Sequence, residues 1–170
     1  SKYKMYDENK IIVDKMPFNF KWIGLIKILF PKAKVIHSNR NPIDSAFSIY
    51  RNLFDTPGMG WAYNQDDLVK YVHLYNDLMS LWQKKLGKFI YEYHYERLVT
   101  NQIDETKKIL EFCNLEFEDK CINYTENKTT VSTVSISQAR QKIYKSSINL
   151  SNKYLDYFPF LNKIIKKKAP

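Results

Sequence analysis

Hydrophobic and polar positions along the chain alternate between strand-like and helix-like periods. Ile11-Ile12-Val13 is a short apolar run that enters the polar loop Lys15-Met16-Pro17-Phe18-Asn19, and it reads as a buried strand. From Phe20 to Phe30 the apolar positions fall at 22/23, 25/26 and 29/30, which is helical spacing, and Pro31 marks the end. Ala33 to His37 reads as a second strand. It runs into Asn41 and Pro42, an N-cap and a first helical residue, and the helix continues from Ile43 to Phe54 with Asp44 complementing the dipole of its first turn. Asp55 to Gln65, with Pro57, Gly58 and Gly60, reads as a loop. Asp66 opens a long amphipathic helix with Leu68, Tyr71/Val72, Tyr75, Leu78/Met79, Trp82 and Leu86 on one face, stopped by Gly87. Lys88 to Tyr93 is a third strand. Helices come next near Ile103–Cys113 and Phe117–Tyr124, then a polar loop from Thr125 to Ser137, then a final helix from about Asn149 to Lys167 that Pro159 must kink or split.

Strands alternating with helices predict an α/β fold, a parallel sheet flanked by helices. In such sheets ligands sit beyond the carboxyl ends of the strands, so the loops after Val13, Ile36 and Tyr93 are the places to search.

Composition narrows the class. The 170 residues suit a single domain over 1–170, with 162–170 as a solvated basic tail. Hydrophobic content of 44% excludes a disordered chain. No apolar run is long enough to span a membrane, and no leader pattern opens the sequence. Cys113 and Cys121 sit in no metal-ligand spacing, so a reduced, cytoplasmic setting without a metal is expected. A net charge of +9 invites an anionic partner. Of the 27 basic residues, however, only Arg40, Arg51, Arg97 and Arg140 are arginine. The lysine excess reads as compositional bias, and an arginine in such a chain draws notice because its planar fork grips oxyanions.

The richest local pattern is Lys34 to Ser48. A strand delivers Arg40 to the mouth of a helix whose free N–H groups attract anions, and Ser48 lies two turns inside that helix. Guanidinium plus hydroxyl is a phosphate clamp; the plainer alternative is that Arg40 pairs with Asp44 and Ser48 merely packs. His37 and His94, at strand positions, read as packing or edge residues, and Glu96 as a cap on the helix after it.

Val13-Asp14-Lys15-Met16-Pro17-Phe18-Asn19, then Leu29-Phe30-Pro31-Lys32-Ala33-Lys34-Val35-Ile36-His37 with Arg40, Pro42, Asp44 and Ser48, resembles the sulfotransferases. The likeness is greatest to the bacterial domains fused to tetratricopeptide repeats, and more distant to tyrosylprotein sulfotransferases. Tyr95-Glu96-Arg97-Leu98 with Ile109 to Cys113, and then Ser135 to Gln141 with Tyr144 to Ser147, resemble the later signatures of that family. The resemblance implies the fold of P-loop-containing nucleotide hydrolases as sulfotransferases use it. It also implies transfer of a sulfuryl group from 3′-phosphoadenosine 5′-phosphosulfate to a hydroxyl acceptor, leaving 3′-phosphoadenosine 5′-phosphate, with no metal.

By position, Arg40 and Ser48 would bind the 3′-phosphate, Tyr95 would lie near that phosphate or the adenine, and Ser135 would contact the donor near the sulfuryl group. Arg140 is a further basic group for the nucleotide, and Lys15 would neutralise charge on the leaving oxygen. Two departures stand out. The glycines, Gly24, Gly58, Gly60 and Gly87, form no phosphosulfate loop, so the chain reads as the C-terminal two-thirds of the fold, N-terminally incomplete and weakly active or inactive alone. Leu150 stands where relatives tend to carry a basic residue, with Lys145, Arg140 or Lys153 as candidates to compensate. A non-catalytic 3′-phosphonucleotide-binding module and a basic nucleic-acid-binding domain are the alternatives, the second disfavoured by the low arginine count. An exposed sheet edge would allow pairing with a second copy.

Overall fold

Two short parallel strands, β1 (Val35–Asn39) and β2 (Ile90–His94), form the sheet, paired from Val35 with Ile90 to Asn39 with His94. The computed structural model describes residues 11–54, 57–126 and 143–165. Ahead of β1 a 3-10 turn at Pro17–Trp22 leads into α1 (Ile23–Leu29). Between the strands the chain forms helix α2 (Pro42–Tyr50), a 3-10 turn at Gly60–Tyr63 and the long helix α3 (Gln65–Leu86). After β2 come α4 (Tyr95–Thr100) and α5 (Gln102–Cys113). The expected α/β architecture, parallel strands flanked by helices, is what the chain adopts.

Local chemistry explains most boundaries. The Asn41 side chain accepts from the backbone N–H groups of Ile43 and Asp44 while Pro42 takes the first helical position, so α2 starts where the sequence predicts. Asn64 does the same for α3, accepting from Asp66 and Asp67, and two acidic residues in the first turn meet two lysines in the last. Asn114, in left-handed conformation at φ 58°, ends α5.

Helix α3 is the spine. Its first half places Leu68, Val69 and Val72 in a core with Ile43, Ala46 and Phe47 of α2 and with Phe160, Leu161 and Ile164. Its second half places Met79 in a separate core with Ile23, Phe89 and Ile90, flanked by Tyr75, Trp82 and Leu86. Trp82 donates its indole N–H to the Phe20 carbonyl at 2.8 Å and lies so close to Gly24 that a Cβ there would meet the ring at 2.8 Å. Glycine is therefore what lets α1 approach α3.

Several expectations are corrected. Ile11-Ile12-Val13 is irregular rather than a strand, with exposures of 67%, 63% and 85%. A strand needs a partner for its backbone groups, and among the described residues none pairs with it. The expected helix at Phe117–Tyr124 is two 3-10 turns, Asp119–Cys121 and Tyr124–Glu126. The C-terminal helix is two 3-10 turns, Leu150–Tyr154 and Pro159–Ile164, divided at Pro159 as the proline requires. The second turn is also no tail: Leu161 and Ile164 are buried, and Lys163 pairs with Asp66 at 3.0 Å, so the region from 162 to 165 belongs to the folded body.

Candidate functional site

Because β1 and β2 are parallel and in register, they end side by side, and the segments leaving the two strands meet at one place. Asn39, Arg40, Asn41 and Pro42 from the β1–α2 junction, His94 and Glu96 from the β2–α4 junction, and Asn149 from the C-terminal segment line an open groove of about 290 Å³. This is the position at which open α/β sheets bind ligands. The groove also holds the N-terminus of α2, which turns the positive end of the helix dipole toward it; the free N–H groups expected there are already taken, those of Ile43 and Asp44 by the Asn41 side chain and that of Asn41 by Glu96.

Arg40 is held on two sides. Its Nη2 donates to the Ser147 carbonyl at 2.7 Å, and its guanidinium lies over the Tyr95 ring, 5.0 Å from the centroid. Its Nε is buried with no hydrogen-bond partner among the described residues. A buried, unpaired donor on a cation costs roughly 1–3 kcal/mol or more, and an acceptor arriving there would relieve it. Burial pushes the Tyr95 phenol up; the Arg40 charge and the Ser147 hydroxyl oppose that, so the ring is a neutral face for the cation.

The carboxylates nearby are engaged elsewhere. Asp44 does not pair with Arg40. Buried to 1% exposure, it accepts from the Asn149 N–H at 2.7 Å, the Ser151 N–H at 2.8 Å and the Ser151 hydroxyl at 2.6 Å. Glu96 does not cap the helix after it. Its Oε1 accepts from the Asn41 N–H at 2.9 Å and so ties α4 to the β1–α2 junction. Both leave the guanidinium without a carboxylate partner among the described residues.

The structure thus brings Arg40 and Tyr95 together at the groove. Ser48 is half-buried on α2, about 9 Å along the helix axis from Pro42 at 1.5 Å per residue, and is not part of the lining. Lys15 is exposed on the irregular segment before the first 3-10 turn and is likewise not part of the lining. Ser135 and Arg140 lie outside the described residues. Asp44, Glu96 and Asn149 are the polar residues that reasoning from sequence misses as parts of the site. Signals exist for Asp44, whose place in a first turn reads as dipole complementation, and for Glu96, which reads as a helix cap; Asn149 carries none.

A second polar cluster lies behind the groove, between the sheet and α3. His37 Nδ1 is 2.7 Å from Glu92 Oε2, its register partner, and His37 Nε2 meets the Tyr75 hydroxyl; Glu92 Oε1 also accepts from Asn39 Nδ2 at 3.2 Å. Burial and then the Glu92 charge push the Tyr75 phenol up to about 12. The phenol therefore stays protonated in its hydrogen bond with Nε2, and the His37 tautomer sets which of the two donates. His37 is a packing residue, as expected, though a hydrogen-bonded one.

This arrangement predicts an alkaline weakness. Unfolded Tyr75 ionises near 10.0 and folded Tyr75 near 12, so the stability present below pH 10 falls as pH rises toward 12. Urea unfolding between pH 8 and pH 11.5 should show a shallower alkaline decline for Tyr75→Phe than for the unsubstituted chain. Parallel declines would contradict the assignment.

Among the described residues no group of three or more His, Cys, Asp or Glu side chains is placed to hold a metal ion, and no helix is long and apolar enough to cross a membrane. Comparison with known proteins agrees with the geometry. Over an alignment of 169 positions that covers 96% of the chain, it is 38% identical to a protein of Aquifex aeolicus (strain VF5) named only as an uncharacterized protein. The chain spans 22% of that relative's length, about a fifth. Residues 2–119 match the sulfotransferase family, a stretch holding both strands, the Arg40 junction and helices α1 to α5. With more than half of its sequence matched, including the junctions that build the groove, this chain belongs to the sulfotransferase family.

Proposed function

We propose that this domain binds a 3′-phosphorylated adenine nucleotide in the groove and serves sulfuryl transfer from 3′-phosphoadenosine 5′-phosphosulfate to a hydroxyl acceptor. The observation that carries this reading is the Arg40 guanidinium at the mouth of α2, fixed on one edge and one face, with a buried Nε that lacks an acceptor among the described residues. A phosphate there would meet a charge-assisted donor and the positive end of the α2 dipole together. The family resemblance assigns the 3′-phosphate to Arg40 and Ser48, of which Arg40 alone lines the groove, and sets Tyr95 against the nucleotide. Ser135 and Arg140 are assigned to the donor on the same ground.

In the transfer, the acceptor oxygen attacks sulfur, the bond from sulfur to the 5′-phosphate oxygen breaks, and the acceptor proton passes to a base. Negative charge grows on the leaving phosphate, and an ammonium beside it, the role given to Lys15, stabilises that charge. Beyond that proton transfer, such a loose transfer demands positioning and charge neutralisation.

The test is transfer of radiolabelled sulfate from the donor to a panel of phenolic, sugar and peptidyl hydroxyl acceptors. Transfer that Arg40→Ala and Lys15→Ala each reduce at least tenfold supports the reading. Nucleotide binding with no transfer to any acceptor would overturn the catalytic half and leave a 3′-phosphonucleotide-binding module.

A further inference from the structure

We propose that Asp44 is a positioning residue for Arg40, acting through the segment 147–151; this rests on the groove being the nucleotide 3′-phosphate site. Asp44 sits in the first turn of α2 and is 1% exposed, yet no cation lies within ion-pairing distance of it among the described residues. A buried carboxylate is costly unless donors surround it. Here three donors do, all from one short stretch more than a hundred residues away: the amides of Asn149 and Ser151 and the Ser151 hydroxyl. The first turn of α2 adds its dipole.

The convergence needs an unusual backbone. Asn149 adopts φ 56°, the left-handed region that asparagine tolerates better than most residues, and so turns the chain at the point where the amides of 149 and 151 both face Asp44. The consequence lies two residues earlier. With 149 and 151 tied down, the Ser147 carbonyl stands where it receives Arg40 Nη2 at 2.7 Å. A guanidinium has five N–H donors in a rigid plane. One donor held by Ser147 and one face held by Tyr95 set the direction of that plane, and with it the direction of Nε. Asn149 is also a wall of the groove. Asp44 therefore touches no ligand; it orients the residue that does.

A carboxylate that served stability alone would give a different result, because its loss would lower the melting point and leave the folded protein's ligand selectivity intact. The experiment compares the unsubstituted chain, Asp44→Asn and, as a destabilised control outside the groove lining, Leu161→Ala. All are measured well below their melting temperatures. Hydrogen exchange of the Asn149 and Ser151 amides is recorded without nucleotide. Affinities for adenosine 3′,5′-bisphosphate and adenosine 5′-phosphate are measured by titration calorimetry.

In Asp44→Asn, the expected result is exchange at both amides at least tenfold faster and a preference for the bisphosphate at least tenfold smaller, while Leu161→Ala keeps the preference. Unchanged amide exchange in Asp44→Asn overturns the proposal, as does faster exchange with the preference intact. A chain that shows no preference before any substitution overturns the reading of the groove, and this proposal with it. If Asp44→Asn does not fold, Ser151→Ala removes one of the three donors more gently. It should lower the preference two- to fivefold, and no change there overturns the proposal.

Discussion

Replacing Arg40 with alanine weakens binding of adenosine 3′,5′-bisphosphate about 100-fold and changes binding of adenosine 5′-phosphate little. The magnitude comes from what the side chain offers. A hydrogen bond to a charged group contributes roughly 1.5–3 kcal/mol, and each 1.4 kcal/mol is tenfold in affinity. The selectivity comes from where the group is: at the mouth of α2, with Nε unpaired among the described residues. Stability should move much less, because among the described residues Arg40 makes a single hydrogen bond, to the Ser147 carbonyl, and one ring contact, to Tyr95. Arg40→Lys restores the charge without the planar fork and should recover only part of the affinity. Calorimetric titration of both nucleotides against the two variants reads this directly. Equal losses for both nucleotides would mean that Arg40 acts through general charge and not on the 3′-phosphate.

The largest effect on stability is expected at Leu161. It is 0% exposed and joins the 3-10 turn Pro159–Ile164 to α2 and α3, in a core with Phe47, Leu68 and Val72. Leu161→Ala removes buried methyl groups and leaves a cavity between three elements, at a cost of about 2–5 kcal/mol. For a chain of this size that lowers the melting temperature by roughly 5–15 °C. Scanning calorimetry with urea titration checks it. A loss below about 1 kcal/mol would mean that the C-terminal turn is not docked on the two helices, contrary to the burial of Phe160, Leu161 and Ile164.

Both predictions rest on features of different legibility. The start of α2 can be read because everything needed for it is local: Asn41 caps, Pro42 comes next, and the first turn is satisfied within four residues. The amphipathic stripe of α3 is equally legible, since one period persists over 22 residues. Arg40 stands out by residue type and by its place between strand and cap. What cannot be read is what depends on distant partners. Ile11-Ile12-Val13 has strand composition, but a strand exists only where another backbone pairs with it. The role of Asp44 depends on amides that lie more than a hundred residues away. Helix α4 is six residues long and continues from β2 without a break, too short to show a period. By composition Lys163 groups with the terminal lysines, and only the burial of Ile164 beside it shows that the chain is still folded there.

The groove explains why the +9 charge is a poor guide. Lysines distributed over the surface give a diffuse field, whereas recognition of one phosphate needs a donor set in fixed orientation. In the site proposed for the phosphate, that orientation comes from Ser147, Tyr95 and, behind them, Asp44.

The central claim is that the groove at the ends of β1 and β2 selects a nucleotide by its 3′-phosphate. Its most direct test is calorimetric titration of the unsubstituted chain with adenosine 3′,5′-bisphosphate and, separately, adenosine 5′-phosphate. The account predicts that the bisphosphate binds at least tenfold more tightly. Equal affinities for the two nucleotides would contradict it.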